Sequence, residues 1–325
     1  MRIDRLRLDP FADAAAWDAL VDASPQGSVF ARSAFLEALG LPHRQLAVWD
    51  GDRPLALVPV VETIGGEAMQ RPPFTPHLGI LLLPDAQATL PRQRIDDAFT
   101  LTEWLAAELT RRYRRVELAL HWAFDDLRAL QWHNYHDAAA GQFRLTPRYT
   151  ALLPLAGQTP ASVRAAARSC RRQEEKKAAV CRLVDDPPLG RFLDLYERTF
   201  ARQDIALPGE SLERVGRIAC AAVQGGWGRL AGIEAADGSL AAATLFVHDA
   251  RTSCYLFAAN DPAQRNSGAA TRLMFHNLDR ALEQGLEAVD FVGVNSPNRG
   301  DFKLSFNPQL RLYFDASWSA PSSQT

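Results

Sequence analysis

Cysteine is scarce, with four residues in a chain of 325, at Cys170, Cys181, Cys220 and Cys254. No two of them stand at the C-x-x-C spacing of a structural zinc site or redox pair. A disulfide framework has no support either, so the four read as small apolar side chains in a reducing compartment. Long hydrophobic runs are missing too. No stretch of about 18 apolar residues occurs, so no membrane-spanning helix is expected, and the apolar stretch Leu78–Leu83 is only strand-sized. The opening segment MRIDRLRLDPFADAAAWDAL lacks the apolar run of a signal peptide. The expectation is a cytoplasmic protein without stable membrane insertion. An excess of one charge is likewise absent: 36 basic residues face 38 acidic ones, for a net charge of −2. That excludes a globally basic protein that coats nucleic acid, so DNA is not an expected partner, although a local basic patch remains compatible. There is no G-x-S-x-G elbow, no G-x-x-x-x-G-K-[ST] loop and no H-E-x-x-H helix, which argues against an esterase, a P-loop NTPase or a zincin. His133 and His136, in Trp132-His133-Asn134-Tyr135-His136, have no third ligand and no carboxylate nearby, so no metal is expected.

What is present is ordinary globular composition, 47% hydrophobic and 23% charged. The length exceeds one comfortable core, so two domains are expected. Helical periodicity covers Ala12–Ala23, with Trp17, Leu20 and Val21 on one side, and then Ser33–Leu39. Two apolar runs, Gln45–Trp49 and Pro54–Val61, flank Asp50-Gly51-Asp52 and predict a hairpin. Pro59 calls for an irregular point or an exposed edge. Strand Leu78–Leu83, helix Asp97–Arg112, strand Val116–Trp122 and an extended segment Phe143–Leu155 follow. Downstream the order recurs. A helix is expected over Ser162–Ala179, with others over Leu189–Phe200 and Leu212–Gln224. A second hairpin (Arg229–Glu234 and Leu240–His248 around Ala236-Asp237-Gly238) leads to strand Ser253–Asn260. Helix Ala269–Gln284 carries rows Leu273, Asn277, Ala281 and Met274, Leu278, Leu282, and strand Val289–Val292 closes the series. This reads as a duplicated α/β unit, with the boundary among the prolines between residues 146 and 159, giving domains 1–150 and 151–325.

The sharpest local feature is Arg265-Asn266-Ser267-Gly268-Ala269-Ala270, an R-x-x-G-x-A run on the turn from a strand into a long helix. Small residues admit close backbone approach, the first helical turn offers unpaired N–H groups, and its dipole favours an anion such as a pyrophosphate. Arg265 adds a charge-assisted contact. The plain alternative is a loop leading into a glycine-entered helix. In this setting the run resembles the acyl-CoA pyrophosphate loop of GNAT acyltransferases. A second group is similar to the C-terminal pattern of FemAB-like proteins: Asp290-Phe291-Val292-Gly293, then a short loop, then Phe302-Lys303-Leu304-Ser305-Phe306. Ser24–Phe30 resembles that family's entry segment, and Ser162 through Arg172 its arginine helix. Phe306-Asn307-Pro308 stands where many relatives have an aromatic followed by glycine.

The resemblance implies an α/β fold of two tandem GNAT-like domains, each a mixed, mainly antiparallel sheet with flanking helices. The second would carry the donor site and the first would shape the acceptor pocket, with a cleft between them. It implies an N-acyltransferase that takes an acyl group from acyl-CoA, most simply acetyl-CoA, to a small-molecule amine or a cell-envelope precursor. Relatives that use aminoacyl-tRNA supply an alternative donor, with tRNA as partner. A non-catalytic binding module on the same fold is the alternative of another class.

Within that frame Lys303, between Phe302 and Phe306, is the expected cation for developing negative charge, against a plain snorkelling lysine. Asp290 and Asn295 are candidates to orient or deprotonate the amine. Tyr255, on a central strand, would protonate a leaving thiolate, or else is a core aromatic. Arg164, Arg168, Arg171 and Arg172 fall on one face of the expected helix. They read either as a grip on an acidic substrate, with Arg168 and Arg172 in the lead, or as a face paired with Glu174 and Glu175.

Overall fold

The computed structural model describes residues 2–84, 90–201 and 208–321, with the backbone alone for 297–299. In chain order the elements are β1 (Leu6–Pro10), α1 (Ala14–Ala23), α2 (Ser33–Ala38), β2 (His43–Asp50), β3 (Arg53–Val61), β4 (Ala68–Met69), β5 (Leu81–Leu82), α3 (Pro91–Arg112), β6 (Arg115–Ala119), α4 (Arg128–Gln131) and β7 (Arg144–Pro154). Then come α5 (Pro160–Ala166), α6 (Ser169–Lys177), β8 (Arg182–Asp185), α7 (Leu189–Ala201), α8 (Gly209–Gln224), β9 (Gly228–Glu234), β10 (Leu240–His248), β11 (Thr252–Asn260), α9 (Ala269–Glu283), β12 (Ala288–Asp290), α10 (Pro297–Leu304) and β13 (Gln309–Ser319). They fall into two compact units, residues 1–148 with 312–325, and residues 149–311. A single cut near 150 therefore misses one feature, the return of β13 to the first unit.

In the first unit Asp13 caps α1 by accepting from the amides of Ala15 and Ala16, both at 3.0 Å, the usual service of an aspartate at that position. The expected hairpin forms: β2 and β3 pair with Asp50 opposite Arg53, and Gly51 adopts φ +62° in the turn. Sheet β1-β2-β3-β5 is antiparallel. Its strand β5 covers β3 only at Ala56 and Leu57, so the missing N–H of Pro59 costs no ladder bond on that side. The apolar run Leu78–Leu83 is not one strand. Leu78 bridges Ala119 of β6, whereas Leu81 and Leu82 pair with β3, so the run changes sheets midway. Helix α3 begins two turns earlier than Asp97, since Pro91 fits a first helical turn. It buries Leu101, Leu105 and Leu109 against Val116 and Leu118.

The second unit repeats that order: helices α7 and α8, a hairpin β9–β10 around Gly238 at φ +79°, strand β11, long helix α9 and strand β12. Its sheet runs β7-β12-β11-β10-β9-β8, antiparallel except for the parallel pair β11–β12. Helix α9 buries Leu273, Met274, Phe275, Leu278 and Ala281. Its buried Asn277 is satisfied by the Thr244 hydroxyl (3.1 Å) and the Leu273 carbonyl (2.8 Å). Phe275, Phe291 and Phe306 are fully buried in the same core, each contributing about 2–3 kcal/mol by burial.

One expectation fails in this unit. The single helix over Ser162–Ala179 is two helices, α5 and α6, parted by Ala167 and Arg168 in extended conformation. The amide of Arg168 bonds the Ser305 carbonyl at 2.9 Å, and Arg172 donates to the carbonyls of Arg164, Ala165 and Ala167, capping the end of α5. The four arginines therefore do not share a helical face.

Candidate active site

Strands β11 and β12 run together only from Thr252 opposite Ala288 to Cys254 opposite Asp290. Beyond that point β12 stays with β7, where the Phe291 amide bonds the Ala151 carbonyl at 2.9 Å. Strand β11 continues to Asn260 with β10 alone among the described residues. The parallel pair thus parts at Tyr255. At this opening the Lys303 ammonium lies 5.1 Å from the centre of the Tyr255 ring and donates to the Val292 carbonyl at 2.6 Å. Lys303 stands near the end of α10 between Phe302 and Phe306, whose rings pack against each other with centroids 5.3 Å apart.

Tyr255 stacks on Phe246 (5.1 Å) and is buried. Burial pushes its phenol above the ordinary value, so the hydroxyl is a proton donor and not a phenolate at neutral pH. Asp290 is 2% exposed. It accepts from the Thr150 hydroxyl and, at 2.8 Å, from the Val292 amide. Val292 itself has φ +38° and Gly293 φ +54°. A β-branched residue in that region is strained, and such strain gathers at functional sites. Asn295 is exposed, and both ends of its amide engage the backbone of Tyr149, accepting at 2.7 Å and donating at 2.9 Å. Tyr149 and Asn295 also line an open cleft of about 530 Å3 with Val294, Gly300, Leu304 and Leu310.

The run Arg265–Ala270 does enter a helix. Gly268, at φ +81°, is the residue before α9. The Ala269 amide bonds the Ser267 hydroxyl at 3.2 Å. Arg265 and Asn266 are exposed. What packs here is set by tertiary structure. A Cβ on Gly268 would stand 2.2 Å from the Glu174 carbonyl, so the glycine is required by α6 of the same chain. The Glu174 carboxylate accepts from Thr271 in the first turn of α9 and pairs with Arg171 at 2.6 Å. Lys177 donates to the Asn266 carbonyl. Arg171 also reaches Ser305 (2.8 Å) and lies over Phe302 (4.8 Å), tying α6 to α10.

The arginines each have partners within the protein. Arg164 makes a two-pronged bond to Asp279 (2.7 Å each) and also meets Glu175. Arg168 pairs with Asp301 at 2.7 Å, and Arg172 caps α5. Among the described residues no group of three or more His, Cys, Asp or Glu side chains is placed to hold a metal. His133 packs on Phe143, 5.4 Å between centroids, and burial lowers its pKa.

Residues 158–303 match the family model described as an acetyltransferase (GNAT) domain, which lies wholly in the second unit. The fold of the chain is similar to that of FemX (TM-score 0.66, 12% identity, 95% of this chain and 96% of that one). It is also similar to a tandem GNAT protein from the clavulanic acid biosynthesis pathway (0.55, 13% identity, 98% and 100%). L-PGS from Bacillus licheniformis is a third (0.51, 14% identity, 96% and 93%). No curated protein matches in sequence. The second unit is thus similar, over residues 158–303, to a GNAT acetyltransferase domain. With both units considered, the chain has a tandem GNAT-like fold.

Proposed function

We propose that this protein transfers an acyl group to an amine, with the chemistry at the opening between β11 and β12. One observation carries the reading: Lys303 is fixed on Tyr255 at the residue where the parallel strands part. Attack of a neutral amine on an activated acyl carbon gives an oxyanion, and a preoriented ammonium outside bulk water stabilises it. Tyr255, whose hydroxyl is protonated at neutral pH, gives its proton to the leaving group and regains one from the nitrogen of the tetrahedral adduct. The donor in this reading is acyl-CoA, acetyl-CoA being the simplest. Arg265, exposed just before α9, would meet its pyrophosphate. The acceptor is a small amine or an amine-bearing cell-envelope precursor, met in the cytoplasm.

A second reading keeps the centre and changes the donor to an aminoacyl ester of tRNA. It is favoured by Glu174, whose carboxylate already sits on the first turn of α9 and opposes a second anion there. Thermal shift with acetyl-CoA, longer acyl-CoAs and free CoA separates the two, because a ligand of the folded state raises apparent stability. A shift lost in Arg265→Ala supports acyl-CoA. No shift with any CoA sends the test to aminoacyl-tRNA.

A further inference from the structure

We infer that Asp290 acts as a positioning residue that aims Lys303 through the strained peptide at Val292, and that Thr150 belongs to the same chain of contacts. The inference rests on the proposed role of Lys303 and deepens it.

Asp290 looks at first like a base for the amine. Its surroundings say otherwise. The side chain is almost wholly buried, and its Oδ1 accepts both the Thr150 hydroxyl and the Val292 amide. The Val292 amide is thereby fixed on the inner side of the loop. Val292 then turns through φ +38°, and Gly293 through φ +54°. This turn directs the Val292 carbonyl to the Lys303 ammonium at 2.6 Å. Valine does not hold that conformation unaided, because its branched Cβ crowds the backbone. Without the Asp290 acceptor the backbone relaxes toward the extended region and the carbonyl swings away from Lys303. The contacts run Thr150, Asp290, Val292, Lys303, and end on the Tyr255 ring. Nothing in this chain requires Asp290 to exchange a proton. It requires an acceptor oxygen in a fixed place, which an asparagine also provides.

The composition makes the test direct. Lysine occurs only at 176, 177 and 303, so protein labelled with 13C-lysine gives three side-chain signals. The Lys303 signal is assigned by its loss in Lys303→Arg. Seated over Tyr255, the Lys303 Hε protons are shifted upfield by the ring. Asp290→Asn is expected to keep that shift, and to keep release of free thiol from acetyl-CoA, in the presence of an amine, within about fivefold of the parent. Asp290→Ala is expected to lose the shift. Its kcat falls about 100-fold, the scale of a misplacement of roughly 1 Å, with little change in KM. Thr150→Val falls between the two and serves if Asp290→Ala does not fold.

An unmoved Lys303 signal in both Asp290→Ala and Thr150→Val overturns the inference. So does an Asp290→Asn variant that is inactive and yet keeps Lys303 in place, since that is the behaviour of a base. The signal is read without turnover. A Lys303 that moves in Asp290→Ala, in a protein inert toward every acyl donor, supports the positioning chain and sinks acyl transfer alone.

Discussion

The Glu174 carboxylate accepts a hydrogen bond from the Thr271 hydroxyl in the first turn of α9, the place where the R-x-x-G-x-A run leads one to expect a bound pyrophosphate. A carboxylate near a helix N-terminus is favourable by about 0.3–1 kcal/mol, and it opposes a second anion by a similar amount. If acyl-CoA binds at this turn, Glu174→Gln should tighten it roughly two- to fivefold, by that same dipole scale. Titration calorimetry with acetyl-CoA at low salt measures this. Equal affinity in both proteins would remove Glu174 from the donor site.

Gly268 supplies a second expectation at the same turn. Its φ of +81° strains any L side chain, and a Cβ there would meet the Glu174 carbonyl at 2.2 Å. The partner is backbone and cannot step aside. Gly268→Ala should therefore cost about 3 kcal/mol or more, since strain and overpacking add. Urea unfolding reads the loss. A neutral substitution would mean that α6 does not pack on α9 in solution.

Much of this site was legible in the sequence, and the reasons differ by element. Helix α9 announces itself through its apolar rows and through Gly285, and the hairpins through Asp-Gly turns. The Phe302-Lys303 and Asp290-Phe291 runs singled out Lys303 and Asp290, which the fold joins through Val292. The break at Ala167–Arg168 was not legible. Ala, Arg and Ser have no local reason to leave a helix, and the break comes from Ser305, 137 residues further on in the sequence, taking the Arg168 amide. Glu174 at α9 and Thr150 at Asp290 were hidden in the same way, since both are partnered only once the chain is folded. Strand β13 pairs with β6 in the first unit, a choice of neighbour that no local pattern encodes.

Arg164 tests whether the arginines are structural. Its guanidinium holds Asp279 with two bonds, meets Glu175, and covers the Phe275 ring at 4.8 Å. The two carboxylates raise its pKa, with hydrogen bonding to Asp279 the largest cause. Because the group is about a quarter exposed, solvent screening reduces the worth of the pair. Arg164→Ala should cost about 2 kcal/mol, and Arg164→Lys, which keeps charge and loses the fork, about half of that. A drop in activity without any drop in stability would return Arg164 to the substrate.

Alkaline unfolding gives the last test, and its sign follows from burial. Desolvation pushes the phenol of Tyr255 above its ordinary value. In the first unit Tyr113 is shifted the same way, by desolvation and then by its 2.8 Å bond to the Glu62 carboxylate. Below about pH 10 both tyrosines are neutral whether the chain is folded or not, so they confer no pH dependence there. Above that value the unfolded chain releases protons that the folded chain keeps, and stability falls as pH rises. Tyr255→Phe and Tyr113→Phe should each flatten the decline in urea midpoint between pH 9.5 and 11, on the unfolding scale of ordinary phenols. Tyr255→Phe should also lower kcat, with no new titration below pH 9. A Tyr255→Phe protein that declines as steeply as the parent would mean that the ring opens to water, and Lys303 would then lose the dry surface on which its charge is effective.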